Sequence, residues 1–261
     1  MPIARIRIVS VCMILGLTVS ACGGSDDSGR DGTQGPAPRS SPAPAPSPSP
    51  PEAQCLNEDE VAGDEALRTG SLTGDVSGDG VEDQVHVAVD DSADIGCRAF
   101  LVVAQGDELA AVALDVEGMD PALGLPAPRQ LTQVDGAEGA DVVVDLVAGA
   151  STVFAGVYSM GTGELAQVTI QGSEPPTRDL FPYGGGVGQL SAVDCTEAGT
   201  ILISSAVPQG ARYLVTRNRY TPTPGALLTE GDAPTGKVRL EALPARFPEF
   251  AGAPFGSCPA G

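Results

Sequence analysis

Oxygen-bearing side chains stand at Asp75, Ser77, Asp79 and Asp83, with Gly80 among them, so they fall at positions 1, 3, 5 and 9 of a short turn. With glycine at position 6 for the sharp bend, that spacing lets a tight loop wrap a hard, oxygen-preferring cation such as calcium. A solvated acidic turn is the plainer reading, because Asp and Gly suit turns for backbone reasons alone. Three carboxylates in register with Gly80 favour the ion. An ion enclosed by protein oxygens leaves no open position for a substrate, so its expected role is structural.

Other groups that could do chemistry are sparse. His86 is the only histidine, and it alternates with Val85 and Val87 in a strand-like run, which places it on a polar face or buried against one partner. Ser159 sits in Gly156-Val-Tyr-Ser-Met-Gly161 and misses the nucleophile-elbow spacing by one place. Gly184-Gly-Gly-Val-Gly188 lacks a following Lys-Ser/Thr and reads as a flexible turn, not a phosphate cradle. The pair Asp90-Asp91 is unremarkable among 34 acidic residues. Arg212, Tyr213, Arg217, Arg219 and Tyr220 form a basic-aromatic group, either a ligand patch or a strand face that balances local acid. The expectation is a protein that is not an enzyme; the alternative is an exported hydrolase whose site lies on loops.

The elements that must position these residues repeat. Leu72-Thr-Gly-Asp-Val-Ser-Gly-Asp-Gly, Leu131-Thr-Gln-Val-Asp-Gly-Ala-Glu-Gly and Leu190-Ser-Ala-Val-Asp-Cys-Thr-Glu-Ala-Gly align without gaps, with leucines 59 residues apart. Each leads into a β-rich run: 85–89, 142–147 and 201–207. Further runs follow in matching order, 100–104 with 153–157, 108–114 with 164–170, then 212–216 in the third copy and a last strand within 237–243. Copy two offers Asp135, Glu138 and Asp141 without ligand spacing, and copy three Asp194 and Glu197, so both read as turns that lost the ion. Short β runs divided by Gly, Asp and Pro predict an all-β domain. Three antiparallel units at this period suggest propeller-like repeats with an incomplete extra blade, the alternative being a β-sandwich. The one helix candidate, 58–67, is weakened by Gly63.

Asp75-Val-Ser-Gly-Asp-Gly-Val-Glu-Asp83 followed by a hydrophobic strand resembles the loop of FG-GAP or VCBS-type repeats, the blade units of integrin-like β-propellers. The resemblance covers about 15 residues closely. It implies calcium held by Asp75, Ser77, Asp79, the main-chain carbonyl of Val81, and Asp83. Ser77 stands where the family has Asp or Asn and supplies a neutral, shorter ligand, which lowers the expected affinity.

The chain's ends set its location. Arg5 and Arg7 precede an apolar run, 8–19, too short for a membrane span, and Val19-Ser-Ala-Cys22 resembles the bacterial lipoprotein signal. That implies a leader over 1–21 and a lipidated Cys22 as the anchor, in an extracytoplasmic, membrane-tethered protein. Residues 22–54 are rich in Pro, Ser and Ala and form a semi-rigid spacer; 55–261 is the folded domain. Removing the leader takes two arginines and no acid, leaving 12 basic against 34 acidic residues, a formal charge of −22. Such a surface repels nucleic acid and leaves a protein or glycan as the expected ligand. Four cysteines remain, an even number that reads as two disulfides in an oxidising compartment. Position along the chain pairs Cys55 with Cys258 and Cys97 with Cys195.

Overall fold

A computed structural model describes residues 68–89, 98–114, 125–173, 178–232 and 235–261. The leader, Cys22, the spacer, Cys55, Cys97, the pair Asp90-Asp91 and the helix candidate over 58–67 lie outside the described residues. The domain is all-β, as its short β-branched runs and glycine-marked turns dictate. Strands β1 (Arg68–Gly74), β2 (Asp83–Val89), β3 (Ala99–Gln105) and β4 (Glu108–Ala113) make a four-stranded antiparallel sheet in sequence order.

The second sheet has 11 strands. It runs through β5 (Ala127–Thr132), β6 (Asp141–Ala148), β7 (Thr152–Ser159), β10 (Phe181–Gly186), β11 (Gln189–Cys195), β12 (Ile201–Gln209), β13 (Arg212–Thr223) and β14 (Ala226–Asp232) to β9 (Thr169–Ile170). The short β8 (Ala166–Gln167) pairs with β7, and β15 (Gly236–Val238) pairs with β13. The segment 164–170, expected as one strand, divides, with β8 antiparallel on β7 and β9 parallel on β14. The sheet therefore curls without closing into a barrel. The second and third sequence units share this single sheet through the β7–β10 and β10–β11 pairings.

Two cores follow from strand alternation, because successive side chains point to opposite faces. Inside the curl lie Val143, Val157, Phe181, Val193, Ile201, Tyr220 and Leu227. Between the sheets lie Val85, Val87 and Leu101 from the first, and Val142, Val144 and Leu146 from the second. Strand β6 thus buries both faces, which explains its unbroken run Val142-Val-Val144. His86 is also buried, 5% exposed, on the other face of β2 beside Ala88, so both faces of that strand are covered, and of its two expected placements, a polar face or burial, the structure has burial.

Beyond β15 the chain stops being extended. The strand expected within 237–243 ends at Val238, and a 3-10 turn (Leu240–Ala242), a one-turn helix α1 (Leu243–Arg246) and a second 3-10 turn (Pro248–Phe250) follow. Pro244 in the first turn of α1 suits a helix start, since its missing N–H would be unpaired there anyway. Leu243 and Phe247 pack onto Ala206, Val215 and Val238, on the outer face of β12 and β13. The tail then runs back across β11: Phe255 N–H donates to the Val193 carbonyl at 3.0 Å, and Pro259 accepts from the Gln133 N–H at 3.0 Å.

Candidate functional site

Two places stand out, one from sequence and geometry together and one from geometry alone. The first is the pair of acidic turns. In the β1–β2 hairpin Gly74 pairs with Asp83, and in the β5–β6 hairpin Thr132 pairs with Asp141. The turns therefore have equal length and correspond at an offset of 58, one less than the leucine spacing suggests. Asp83 Oδ2 accepts the N–H groups of Val76 and Ser77, each at 2.9 Å. Asp141 Oδ2 accepts those of Val134 and Asp135, the corresponding pair. Asp83 and Asp141 are buried, 1% and 2% exposed, so each is the polar pin of its turn, satisfying donors that water cannot reach.

Burial is the largest influence on Asp141 and raises its carboxyl to about 6; the neighbouring Asp135 charge adds to this, while the N–H bonds and Ser159 oppose it. Asp135 also ties its turn to the third unit, its Oδ2 accepting the Gly225 N–H at 2.8 Å. The two turns touch through glycines: Ala140 N–H donates to the Asp75 carbonyl at 2.7 Å, and a Cβ on Gly139 would sit 2.4 Å from the Val76 carbonyl oxygen. The third hairpin is shorter, with Cys195 pairing with Ile201, and has no corresponding acid pin.

The ligand set expected for calcium falls within this first turn. Asp75 accepts from the Gly78 N–H at 2.7 Å and the Gly80 N–H at 2.9 Å, and Asp79 accepts from the Val81 N–H at 2.7 Å. Ser77 is half-buried, while Asp79 and Val81 face solvent. Among the described residues, no three side chains of metal-ligating type converge on one point. The residue types suit calcium, while the carboxylates as folded accept the turn's own N–H groups through both oxygens of Asp75, one of Asp79 and one of Asp83.

The second place was not visible in the sequence. Strand β10 pairs with β7 over 181–184 but with β11 only over 184–186. The sheet splits beyond Ser191, and the tail at Phe255 fills the far end of the split. Gly184 and Gly185, φ 83° and 128°, make the bend; a Cβ on Gly185 would lie 2.2 Å from the Gln189 carbonyl oxygen, so only glycine fits. The turn expected over 184–188 is therefore present at Val187 and Gly188, between β10 and β11, while 184–186 belong to the strand and carry the glycine break. The near end of the split is a cleft of about 310 Å³, walled by Tyr183, Leu190, Leu240, Leu243 and Phe250, with Ser191 and Glu249 as polar members.

The polar groups of this cleft differ. Glu249, 5% exposed, accepts from Ser204 Oγ at 2.8 Å and pairs with Arg217 Nε at 2.9 Å, so its charge is compensated. Arg217 also lies over the Phe247 ring, 5.4 Å from its centre. Tyr183 donates its hydroxyl to Asp145 at 2.6 Å, and Arg129 stacks over its ring at 4.9 Å, which fixes that wall. Burial, then the Asp145 hydrogen bond, pushes the Tyr183 hydroxyl above the ordinary phenol range. Ser191 Oγ is buried and has no hydrogen-bond partner.

The basic-aromatic group divides across the sheet. Tyr220 points into the curl's core, while Arg217 and Arg219 face outward and pair with Glu249 and Glu230. His86 Nε2 is buried without a partner among the described residues, and burial, with Arg68 nearby, lowers its pKa.

The cysteine pairing differs from expectation. Cys195 bonds to Cys258, with Cα atoms 4.8 Å apart. The tail is delivered there because Asp194 accepts both the Ser257 N–H, at 2.7 Å, and its hydroxyl, at 2.9 Å. A sulfur makes one disulfide, so the Cys55–Cys258 and Cys97–Cys195 pairings are excluded in this structure. Sequence position could not reveal this, since the crossing of the tail over β11 is a tertiary event. No known protein family, curated protein or solved structure matches the chain.

Proposed function

We propose that this chain is an exported lipoprotein whose β-repeat domain, held off the membrane by the Pro/Ser/Ala-rich spacer, binds a protein partner in the cleft between β10 and β11. The cleft itself is the observation that carries the reading: a largely apolar hollow, with Leu240 half-exposed at 50% on its rim. A glycan would bring many hydroxyls to walls that offer two hydrogen-bonding side chains besides the committed Tyr183, and Glu249 is already taken by Ser204 and Arg217. An apolar anchor side chain of a protein meets the same walls without that loss.

Calcium at the Asp75–Asp83 turn belongs to this reading as a stabilising ion, in line with the FG-GAP-like loop and with the exposed carboxylate of Asp79 at the turn's tip.

Peptide display selected on the folded domain tests the proposal. Peptides carrying an apolar anchor should be enriched and should lose at least about tenfold in affinity for Leu240→Arg, a rim change that leaves buried walls intact. Failure to enrich any peptide on the native domain over that variant, or binding on a glycan array instead, would overturn it.

A further inference from the structure

Apart from the cleft, one margin of the first sheet is built to take on another strand. We propose that the outer edge of β4 receives an extended, basic segment of a partner protein as a fifth strand, paired through its main chain. The Leu114 N–H donates to the Ala99 carbonyl at 2.8 Å, and β4 pairs with β3 without a register shift from Glu108 to Ala113. In an antiparallel ladder every second residue bonds to a given neighbour, so Glu108, Ala110 and Val112 turn their main-chain groups to β3. Those of Leu109, Ala111 and Ala113 turn outward, where no strand pairs with them among the described residues. Burial agrees: no residue of β4 is fully buried and Leu109 is 47% exposed, whereas five of the seven residues in β3 are buried.

The other margins are guarded, and this one is not. Strand β1 breaks register between Thr69 and Leu72, where Gly70 has φ 62°, and it lies along β5, with the Thr69 hydroxyl donating to the Pro126 carbonyl at 2.9 Å. Strand β5 carries Pro128 beside a register break of its own, β9 is two residues long and β15 three. Bulges, prolines, lysines and shortness are the means by which sheets keep other chains from adding to their edges. Strand β4 reads Glu-Leu-Ala-Ala-Val-Ala and has no proline, lysine or bulge. Such an edge is a template for strand addition, in which main-chain hydrogen bonds supply the affinity.

Charge selects the occupant. Asp107 and Glu108 open the strand, and Asp115 and Glu117 follow it in the chain. Two copies related by a two-fold axis would pair these edges antiparallel and set the acids of one against those of the other, which opposes self-pairing. A segment with a β-branched centre and Lys or Arg at both ends meets acid at both ends and small apolar side chains between them. Ala110 and Val112 lean on the core between the sheets, and Ala111 packs with Phe100 and Val102 on the opposite face, so an added strand deepens the burial of both layers.

The test uses synthetic peptides that share one alternating Thr/Val centre: a form with lysines at both ends, a form with glutamates there, and a lysine-ended form N-methylated throughout its centre. Amide hydrogen exchange of the folded domain reads the site. At saturation the lysine-ended peptide should protect the Leu109, Ala111 and Ala113 amides by at least about tenfold and bind more tightly at low salt, while the other two should give no protection. Ala111→Pro, at an edge position whose N–H faces outward, should abolish protection of Leu109 and Ala113. Leu109→Lys, a surface change that leaves every main-chain group in place, should weaken the lysine-ended peptide about 2–5-fold through charge. Absence of protection at these amides, or equal protection by the N-methylated or glutamate-ended form, overturns the proposal. A concentration-dependent dimer that disappears in Leu109→Lys would give the edge to a second copy and overturn it as well.

Discussion

Replacing Asp141 with asparagine should make the domain more stable at neutral pH. Asp141 is almost fully buried and its carboxyl is raised to about 6, against 3.8 for an ordinary aspartate. The folded state therefore holds this proton between about pH 4 and 6 while the unfolded chain releases it. Stability is then highest at and below the unfolded value and falls as pH rises through 6. A difference of about two pH units corresponds to at most about 3 kcal/mol. Asparagine keeps an oxygen for the Val134 and Asp135 N–H groups and offers its amide to Ser159, yet carries no charge to bury. Asp141→Asn should thus match the native domain near pH 4 and exceed it by up to about 3 kcal/mol at pH 7.5, about 6–12 °C in Tm for a domain of this size. Asp141→Ala is the control. It leaves two buried N–H groups without an acceptor and should cost about 2–5 kcal/mol at pH 4. Thermal unfolding by circular dichroism from pH 4 to 7.5 reads all three proteins, and the difference between native and variant cancels the other acids. Parallel curves for native and Asp141→Asn across that range would refute the reasoning.

The remaining expectations are briefer. His86 is the only histidine, so its ring protons give one traceable NMR signal, and burial should place its midpoint below 6.5; the associated stability is present above 6.5 and lost as pH falls. Peptide mapping without reduction should recover Cys195 linked to Cys258, and Cys258→Ala should cost about 4 kcal/mol in the chain-entropy account for a 63-residue separation. Calcium should raise the melting temperature and Asp79→Ala should remove the gain; identical melts in calcium and chelator would end that assignment. Arg217→Met should destabilise by about 3–5 kcal/mol, because it leaves Glu249 buried and uncompensated, whereas pairing it with Glu249→Met should restore most of the loss. A double variant no better than the single one would show that the pair is not coupled.

Much of the fold was readable because strands announce themselves locally. The runs 85–89, 142–147 and 201–207 lie within β2, β6 and β12, since β-branched residues bounded by glycine and aspartate leave little other choice. The leucine spacing of 59 also pointed at a true correspondence, but between hairpins, where the pairing that matters is Gly74 with Asp83 and Thr132 with Asp141. Pattern matching on leucine and glycine missed that register by one because neither residue fixes it. The buried carboxylates fix it, by capping two N–H groups each, and sequence cannot distinguish a buried aspartate from the many exposed ones. What sequence could not carry at all was the split between β10 and β11. It depends on a glycine break at 184–185, on a tail that arrives from 60 residues downstream of β11 to take the Val193 carbonyl, and on an outer layer at 240–250 that closes the hollow. Each is unremarkable alone: a glycine run, a proline-rich tail, a few leucines. They become a cavity only when tertiary packing brings them together. The acidic turn, by contrast, resembles an ion site in its residue types, and what sequence could not show is that its aspartates are engaged by the backbone that presents them.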